Sequence, residues 1–187
     1  MKREKVITNI PTIVQKGDSV LRQVADKVSV NEIKSPKIQK ILKDMSTALA
    51  SQDDGVAIAA PQIGLPLRIF VVSRKVEVML KGLEEAPESE KAMVKDGVYI
   101  NPEIKKISKT KKKMDEGCLS VRPFFGKVER AEKATVTAYD EHGDKFTRGG
   151  SGILAQIFQH EIDHLNGILF IDKATDLKEV LPEPEKK

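Results

Sequence analysis

The stretch Ser151–Leu165, SGILAQIFQHEIDHL, carries most of what the sequence says about the fold. Two glycines precede it and Asn166-Gly167 follows it, so Ser151 can cap the start of a helix and Gly167 can end it in a left-handed conformation. Apolar residues occur around nearly the whole helix and not along one stripe. This pattern predicts a helix that is buried at the centre of a domain.

His160 and His164 lie four residues apart in this helix and share one face, so both imidazoles can bind a single metal ion. Glu161 is rotated about 100° from His160, where its carboxylate can move a proton of a metal-bound water. Burying two imidazoles and two carboxylates in an apolar helix without a function would cost several kcal/mol, to an order of magnitude. The pattern therefore predicts a metal centre.

The third ligand has candidates on both sides of the helix. Cys118 stands beside a glycine in Glu116–Ser120 (EGCLS), and a thiolate with two histidines leaves a fourth position open. The chain after His164 holds no further histidine and offers only carboxylates, of which the nearest are Asp172, Asp176 and Glu179. We expect Cys118 to be the ligand, and a carboxylate in its place would instead indicate a small zinc endopeptidase.

A turn of small residues, Gly55–Gly64 (GVAIAAPQIG), comes before a strand rich in branched residues. It can be read simply as a tight turn in which backbones approach closely. It can also be read as a wall along which a substrate chain lies, with the Gln62 amide directed into the site. A side-chain amide is a usual donor to the oxyanion of acyl transfer.

Length and composition predict one catalytic domain over residues 1–187, with a flexible tail over about 177–187. The chain has no run of about 18 apolar residues and no apolar segment behind its charged first residues, which argues against a membrane span and a secretory signal. A single cysteine excludes a disulfide within the chain, and we expect a cytoplasmic protein.

The net charge of +4 does not by itself indicate nucleic acid, but six lysines between residues 105 and 113 have no acid among them. They can belong to a solvated strand edge that lysine protects from aggregation. They can alternatively meet a polyanion such as ribosomal RNA. The six are Lys105, Lys106, Lys109, Lys111, Lys112 and Lys113.

Spacing and turn residues predict the remaining elements. Pro36, behind the potential cap Ser35, begins a helix that we expect over Ser35–Ser51. Branched and alternating residues predict the strands. The other predicted elements are short helices over Asp18–Ala25 and Val76–Leu80, strands over Leu67–Ser73, Tyr99–Ile107, Lys127–Tyr139 and Lys145–Thr147, and a long loop through most of residues 75–97.

Three segments together resemble the peptide deformylase family, which removes formate from the N-terminal formyl-methionine of new polypeptides. They are GVAIAAPQ (Gly55–Gln62), EGCLS (Glu116–Ser120) and QHEIDHL (Gln159–Leu165), in the family's order. The resemblance implies an α+β fold with antiparallel strands packed around a central metal-bearing helix. It also implies action on N-formyl-Met nascent peptides. Separately, we expect a monomer that makes a transient ribosome contact through its lysine cluster and does not bind a membrane.

The resemblance further implies roles for individual residues. The implied metal ligands are Cys118, His160 and His164, with Fe(II) as the usual ion and Zn, Ni or Co as substitutes. Glu161 would be the general acid and base, and Gln62 with the Leu119 N–H would stabilise the oxyanion. The implied substrate-binding residues are Gly55, Val56 and Ala57 through their backbone, and Ile153 and Ile157 in the methionine pocket.

The chain departs from the family's pattern at three places. Ala57 stands where the family has a second glycine, and we expect its methyl to narrow the cleft. Residues Arg122–Phe125 displace a usual proline, and Gln156 is polar where the family often has an apolar or basic residue. Ala57 and the lysine cluster keep open the alternative of a weakly active metal-binding, ribosome-associated module.

Overall fold

The computed structural model describes residues 10–180. It contains two antiparallel sheets and four α-helices, which confirms the predicted α+β class. The helices are α1 (Pro36–Ala50), α2 (Arg74–Leu80), α3 (Glu88–Lys91) and α4 (Gly152–Leu165). The strands are β1 (Ala57–Ala59), β2 (Ile69–Val72), β3 (Gly97–Ile107), β4 (Lys111–Gly117), β5 (Phe124–Ala131), β6 (Lys133–Tyr139), β7 (Lys145–Ser151) and β8 (Thr175–Glu179).

The larger sheet has five strands in the order β1-β2-β3-β6-β7, with antiparallel pairs throughout. Strand β2 is fully buried because each of its faces is covered by a helix. Phe70 and Val72 pack in the same core cluster as α4, whereas Ile69 and Val71 pack with α1 on the opposite face. The structure therefore confirms the buried strand that the run of branched residues predicted.

The smaller sheet has three strands in the order β4-β5-β8. The single strand predicted over Lys127–Tyr139 is wrong, because the chain changes sheets at Glu132. Strand β5 pairs with β4, and β6 pairs with β3 and β7. The Glu132 N–H donates to the Thr110 carbonyl (3.1 Å), which fixes the crossing point beside the turn between β3 and β4.

Helix α4 is the buried central helix that the sequence predicted, and it packs against β1, β6 and β7. Its Phe158 meets Tyr99 edge to face, and Tyr99 stacks on Phe70 with ring centroids 4.4 Å apart. Ser151 occupies the N-cap position, as predicted, but it is also the last residue of β7 and its side chain makes no capping hydrogen bond. Gly167 does take a left-handed φ of 74°, and a Cβ there would come 2.6 Å from the Arg22 carbonyl oxygen.

Helix α1 confirms its predicted signals, with Ser35 Oγ accepting from the Ile38 N–H and Pro36 in the first position. The predicted helix over Asp18–Ala25 is shorter in the structure, a single 3-10 turn over Ser19–Arg22 capped by Asp18. The helix expected inside the 75–97 loop is α2.

The tail expected from about residue 177 begins within β8, and residues 181–187 lie outside the described part of the chain. The lysines at 111, 112 and 113 lie on β4, which is an end strand of its sheet, as the strand-edge interpretation predicts. Among residues 10–180, no helix is both long and apolar enough to cross a membrane.

Candidate metal centre

A cavity of about 230 Å³ opens between α4, the segment around β1 and the connection from β4 to β5. All but one of the residues expected at the site line it, and the exception, His164, lies behind the wall with only 1 % of its surface exposed. The lining residues that the sequence predicted are Gly55, Val56, Ala57, Gln62, Cys118, Leu119, Ile153, Ile157, His160 and Glu161.

Cys118, His160 and His164 form the one group within residues 10–180 that could hold a metal ion, with one donor atom from each within 4.8 Å of the others. Cys118 Sγ lies 3.1 Å from His164 Nε2. The two imidazoles come from successive turns of α4, and the thiol comes from the segment directly after β4. A thiolate with two imidazoles suits a tetrahedral divalent ion and leaves one position open.

Glu116 orients the first histidine from behind. Its Oε2 lies 3.0 Å from His160 Nδ1, so that Nε2 of the same ring is left for a metal. Arg130 donates two hydrogen bonds to the same carboxylate, from Nε to Oε1 (2.6 Å) and from Nη2 to Oε2 (2.9 Å). Burial alone would raise the pKa of Glu116, but the hydrogen bonds from His160 and Arg130 outweigh it and lower the pKa to about 2. Glu116 is therefore a fixed negative charge at neutral pH.

The ionic chain continues on the far side of Arg130. Its Nη1 donates to Asp163 Oδ2 (2.6 Å), and Lys173 Nζ lies 2.7 Å from both oxygens of the same carboxylate. Arg130 has 3 % of its surface exposed, so its charge is compensated on both sides by carboxylates and not by water. The chain of contacts runs His160, Glu116, Arg130, Asp163, Lys173.

The electrostatics of the three donors suit a cation. Burial alone would lower the pKa of His160, but Cys118 and Glu116 together raise it well above its ordinary value. The Glu116 carboxylate, which contacts His160, would also stabilise a positive charge in the site. Burial and the neighbouring His160 lower the pKa of His164, which keeps its imidazole in the neutral form that binds metals. The residues therefore fit a divalent ion.

Gln62 presents its amide to the cavity in one fixed orientation. Its Oε1 accepts from the Ala59 N–H (2.8 Å), so its NH₂ must face Ser120 Oγ (3.2 Å) and Cys118 Sγ (3.5 Å). The Leu119 N–H, on the same wall, has no acceptor within residues 10–180. These two donors lie beside the cysteine on the cavity wall.

Glu161 is buried but faces the cavity, with 3 % of its surface exposed. Burial raises the pKa of this carboxyl to about 7. Its Oε2 is fully buried and has no hydrogen-bond partner in the part of the chain that the structure describes. The group can therefore change its protonation state near neutral pH, as a general acid and base must.

Close packing shapes the rim of the cavity. A Cβ at Gly117 would come 2.5 Å from the Phe125 ring, so this ring can lie against the backbone only because residue 117 is glycine. Arg122 and Asp54 form an ion pair that joins the loop before β1 to the loop before β5. The segment Arg122–Phe125, where the chain departs from the family pattern, thus forms part of the rim.

The carboxylates considered as alternative ligands lie elsewhere. Asp172 binds the Arg22 guanidinium through both oxygens and accepts from the Leu169 N–H. Asp176 and Glu179 lie in the exposed strand β8. The structure therefore groups Cys118, and none of these carboxylates, with the two histidines.

The ionic chain behind His160 was not predicted from the sequence. One signal of it was present in the sequence. Arg130 lies two residues after the apolar Val128 and so faces the same, buried side of the strand, where a charged residue needs partners of opposite charge. The partners Glu116 and Asp163 were in motifs already singled out, but nothing in their spacing indicates that a strand residue joins them.

The chain belongs to the polypeptide deformylase family, whose family model matches residues 10–180. It is 42 % identical over 173 residues to peptide deformylase 1A, chloroplastic/mitochondrial, of Arabidopsis thaliana, covering 92 % of this chain. It is 39 % identical to peptide deformylase of Carboxydothermus hydrogenoformans, covering 88 % of this chain and 93 % of that one. A crystal structure of a peptide deformylase from Legionella pneumophila superposes with a TM-score of 0.74 at 35 % identity, covering 89 % and 87 % of the two chains.

The chain spans about three fifths of the length of its plant relatives, 63 % of the Arabidopsis protein and 61 % of peptide deformylase 1A, chloroplastic, of Solanum lycopersicum. It spans nearly the full length of the Carboxydothermus relative.

Proposed function

We propose that the protein is a metal-dependent hydrolase that removes the formyl group from the N-terminal formyl-methionine of newly made polypeptides. The observation that carries this proposal is the grouping of Cys118, His160 and His164 beside Glu161 at one cavity, in a chain of the polypeptide deformylase family. The reaction hydrolyses a linear amide to formate and a free amine.

In this proposal Cys118, His160 and His164 hold one divalent ion, with His160 binding through Nε2. When bound, such an ion acts as a Lewis acid that polarises a carbonyl oxygen and lowers the pKa of a bound water to about 7. We propose Fe(II) as the native ion, with Zn, Ni or Co able to replace it. Iron beside a thiolate is open to oxidation, so activity of an iron form should decay in air and persist under nitrogen.

The proposed oxyanion donors are Gln62 Nε2 and the Leu119 N–H. The Ala59 N–H fixes the Gln62 amide before substrate arrives, so its NH₂ needs no reorganisation as negative charge develops on the formyl oxygen. Removing one such donor typically costs 10²–10³ in rate, to an order of magnitude.

The proposed role of Glu161 is to move one proton. It takes the proton from the attacking water as the carbon–oxygen bond forms, and it gives the proton to the leaving amine nitrogen as the carbon–nitrogen bond breaks. A carboxyl with a pKa of about 7 can do both near neutral pH.

The proposed substrate wall is the backbone of Gly55, Val56 and Ala57, along which the peptide lies extended. Ile153 and Ile157 face the same cavity from α4 and would contact the methionine side chain. In this proposal α4 offers apolar contacts, and the backbone from Gly55 to Ala57 offers main-chain contacts, to the same peptide.

Formate release from a formyl-Met peptide is the decisive measurement. We expect the purified protein, loaded with Ni(II) to avoid oxidation, to release formate in equal amount to the free amine. Cleavage of internal peptide bonds without formate would favour the zinc endopeptidase. Metal binding with neither product would favour the weakly active, ribosome-associated module.

We also propose a transient contact with the ribosome, made by the six lysines around the turn between β3 and β4. Lys105 and Lys111 pair with Glu103 and Glu129, while the other four have no carboxylate partner among residues 10–180. Co-sedimentation with ribosomes should weaken steeply as salt rises, because phosphate contacts release counterions. Binding that is insensitive to salt would contradict this contact.

We further propose that the protein is a single catalytic domain that works as a monomer in the cytoplasm. The two most exposed large apolar side chains, Met93 (83 %) and Val24 (70 %), lie in separate connecting segments, after α3 and after the 3-10 turn over Ser19–Arg22. Light scattering would measure the mass in solution, and cell fractionation would test the location.

A further inference from the structure

Gln156 is a polar residue on the face of α4 that lines the cavity. It stands with Ile153, Ile157 and His160 at the spacing i, i+3, i+4 and i+7, which places all four on one side of a helix. Only 8 % of its surface is exposed. The part of the wall that α4 contributes before His160 therefore carries one amide between two isoleucines.

The orientation of this amide is fixed by the neighbouring strand. Gln156 Nε2 donates to the Asp115 carbonyl oxygen of β4 at 2.8 Å. Because a carbonyl oxygen can only accept, the NH₂ group must point to β4, and the amide oxygen must take the other position. That oxygen, Oε1, has no hydrogen-bond partner in the described stretch 10–180, so it is free to accept one from a ligand in the cavity.

We propose that Gln156 determines specificity, allowing the pocket to accept an unbranched, neutral side chain that carries a hydrogen-bond donor as well as methionine. This inference rests on the proposed deformylase function. A side-chain amide that enters a wholly apolar pocket loses its hydrogen bonds to water, which would cost about 5- to 150-fold in kcat/KM. Gln156 Oε1 offers a replacement bond, while Ile153 and Ile157 contact the methylene stem that such side chains share with methionine.

Three formyl peptides that differ only in the first residue test this proposal: formyl-Met-Ala-Ser, formyl-norleucine-Ala-Ser and formyl-Gln-Ala-Ser. Norleucine matches the length of both other residues but has no polar atom. We expect the wild-type protein to hydrolyse the glutamine peptide with a kcat/KM within about threefold of the norleucine peptide. Discrimination of about fivefold or more against glutamine, which is what a wholly apolar pocket would give, would overturn the proposal.

Substitution then isolates the amide. Gln156→Leu and Gln156→Met both keep the approximate volume and remove the hydrogen-bonding group, and two variants guard against one that fails to fold. We expect the glutamine-to-norleucine ratio of kcat/KM to fall about 3- to 10-fold in each. The matched control is Gln39→Leu on α1, whose Nε2 likewise donates to backbone carbonyls but lies away from the cavity, and it should leave the ratio unchanged.

The outcomes separate the possible roles of the residue. If Gln156 only holds α4 against β4, its substitution should change kcat/KM by the same factor for all three peptides. The glutamine-to-norleucine ratio would then stay unchanged, which would overturn the inference. If wild-type protein with full metal content releases formate from none of the peptides, the proposed function itself fails. Hydrolysis of formyl-Met with an unchanged ratio rejects only the inference.

Discussion

Glu116 Oε2 lies 3.0 Å from His160 Nδ1, and the same carboxylate is gripped by Arg130 through two hydrogen bonds. Glu116, two residues before Cys118, thus fixes the ring of His160, which lies 44 positions further along the chain. Ring orientation in this site is set from outside the ligand group, and this arrangement can be tested apart from the ligands themselves.

Glu116→Gln should weaken metal binding about 10- to 100-fold, because an amide is a poorer partner for the His160 N–H and for the buried Arg130. Competition with a chelator at fixed pH measures this affinity. Glu129→Gln, an exposed carboxylate on β5, is the matched control and should bind metal as wild type does. Equal affinity of the Glu116 and Glu129 variants would contradict the orienting role.

The ligand group itself gives a second prediction. Each of the single substitutions Cys118→Ala, His160→Ala and His164→Ala should abolish stoichiometric metal binding, because the two remaining donors hold a divalent ion too weakly. Metal content after dialysis measures the result. Asp172→Asn should retain the metal, since Asp172 pairs with Arg22. Metal loss in that variant, with metal kept after Cys118→Ala, would support the carboxylate-ligand alternative.

Glu161→Gln should separate binding from chemistry. The amide keeps the shape of the carboxyl but cannot accept and release the proton, so we expect an unchanged metal content and a fall in kcat of about 10²–10⁴. Formate release under single-turnover conditions measures the chemical step. A rate near that of wild type would remove Glu161 from the mechanism.

Ala57 tests whether one methyl narrows the cavity wall. Ala57→Gly should raise kcat/KM for formyl-Met peptides about fivefold or more, because an extra methyl at a tight contact costs ~1–3 kcal/mol. It should also lower the free energy of unfolding by ~1–2 kcal/mol through lost burial and a more flexible unfolded chain. The control Ala48→Gly, buried in α1, should lower stability without changing kcat/KM.

Tyr99 gives a prediction about alkaline pH. Burial raises its pKa to about 12 from an ordinary 10, so the folded protein holds this proton more tightly than the unfolded chain. Its contribution to stability is full below pH 10 and is lost as the pH rises toward 12, by ~2–3 kcal/mol. Denaturant unfolding of Tyr99→Phe should therefore have a shallower pH dependence in this range. An unchanged pH dependence in Tyr99→Phe would contradict this role of Tyr99.

Local signals predicted much of the fold and the site. The spacing of His160 and His164, the neighbours of Cys118 and the branched run of β2 each depend on residues close in sequence, and the structure agrees with them. The sheet change at Glu132 could not be predicted, because alternation continues from β5 into β6 while the hydrogen-bond partners change. The ion pairs of Arg130 could not be predicted either, because its partners Glu116 and Asp163 come from another strand and from α4.

The position of Cys118 has a consequence for the folded state as a whole. This residue follows the three-stranded sheet, whereas both histidines belong to the helix that packs on the five-stranded sheet. A ligand bound by all three fastens the two layers together, and by mass action it stabilises the native state over the unfolded chain, by ~2.7 kcal/mol at a free concentration 100 times its Kd. The melting temperature of the protein should therefore rise with the concentration of free metal.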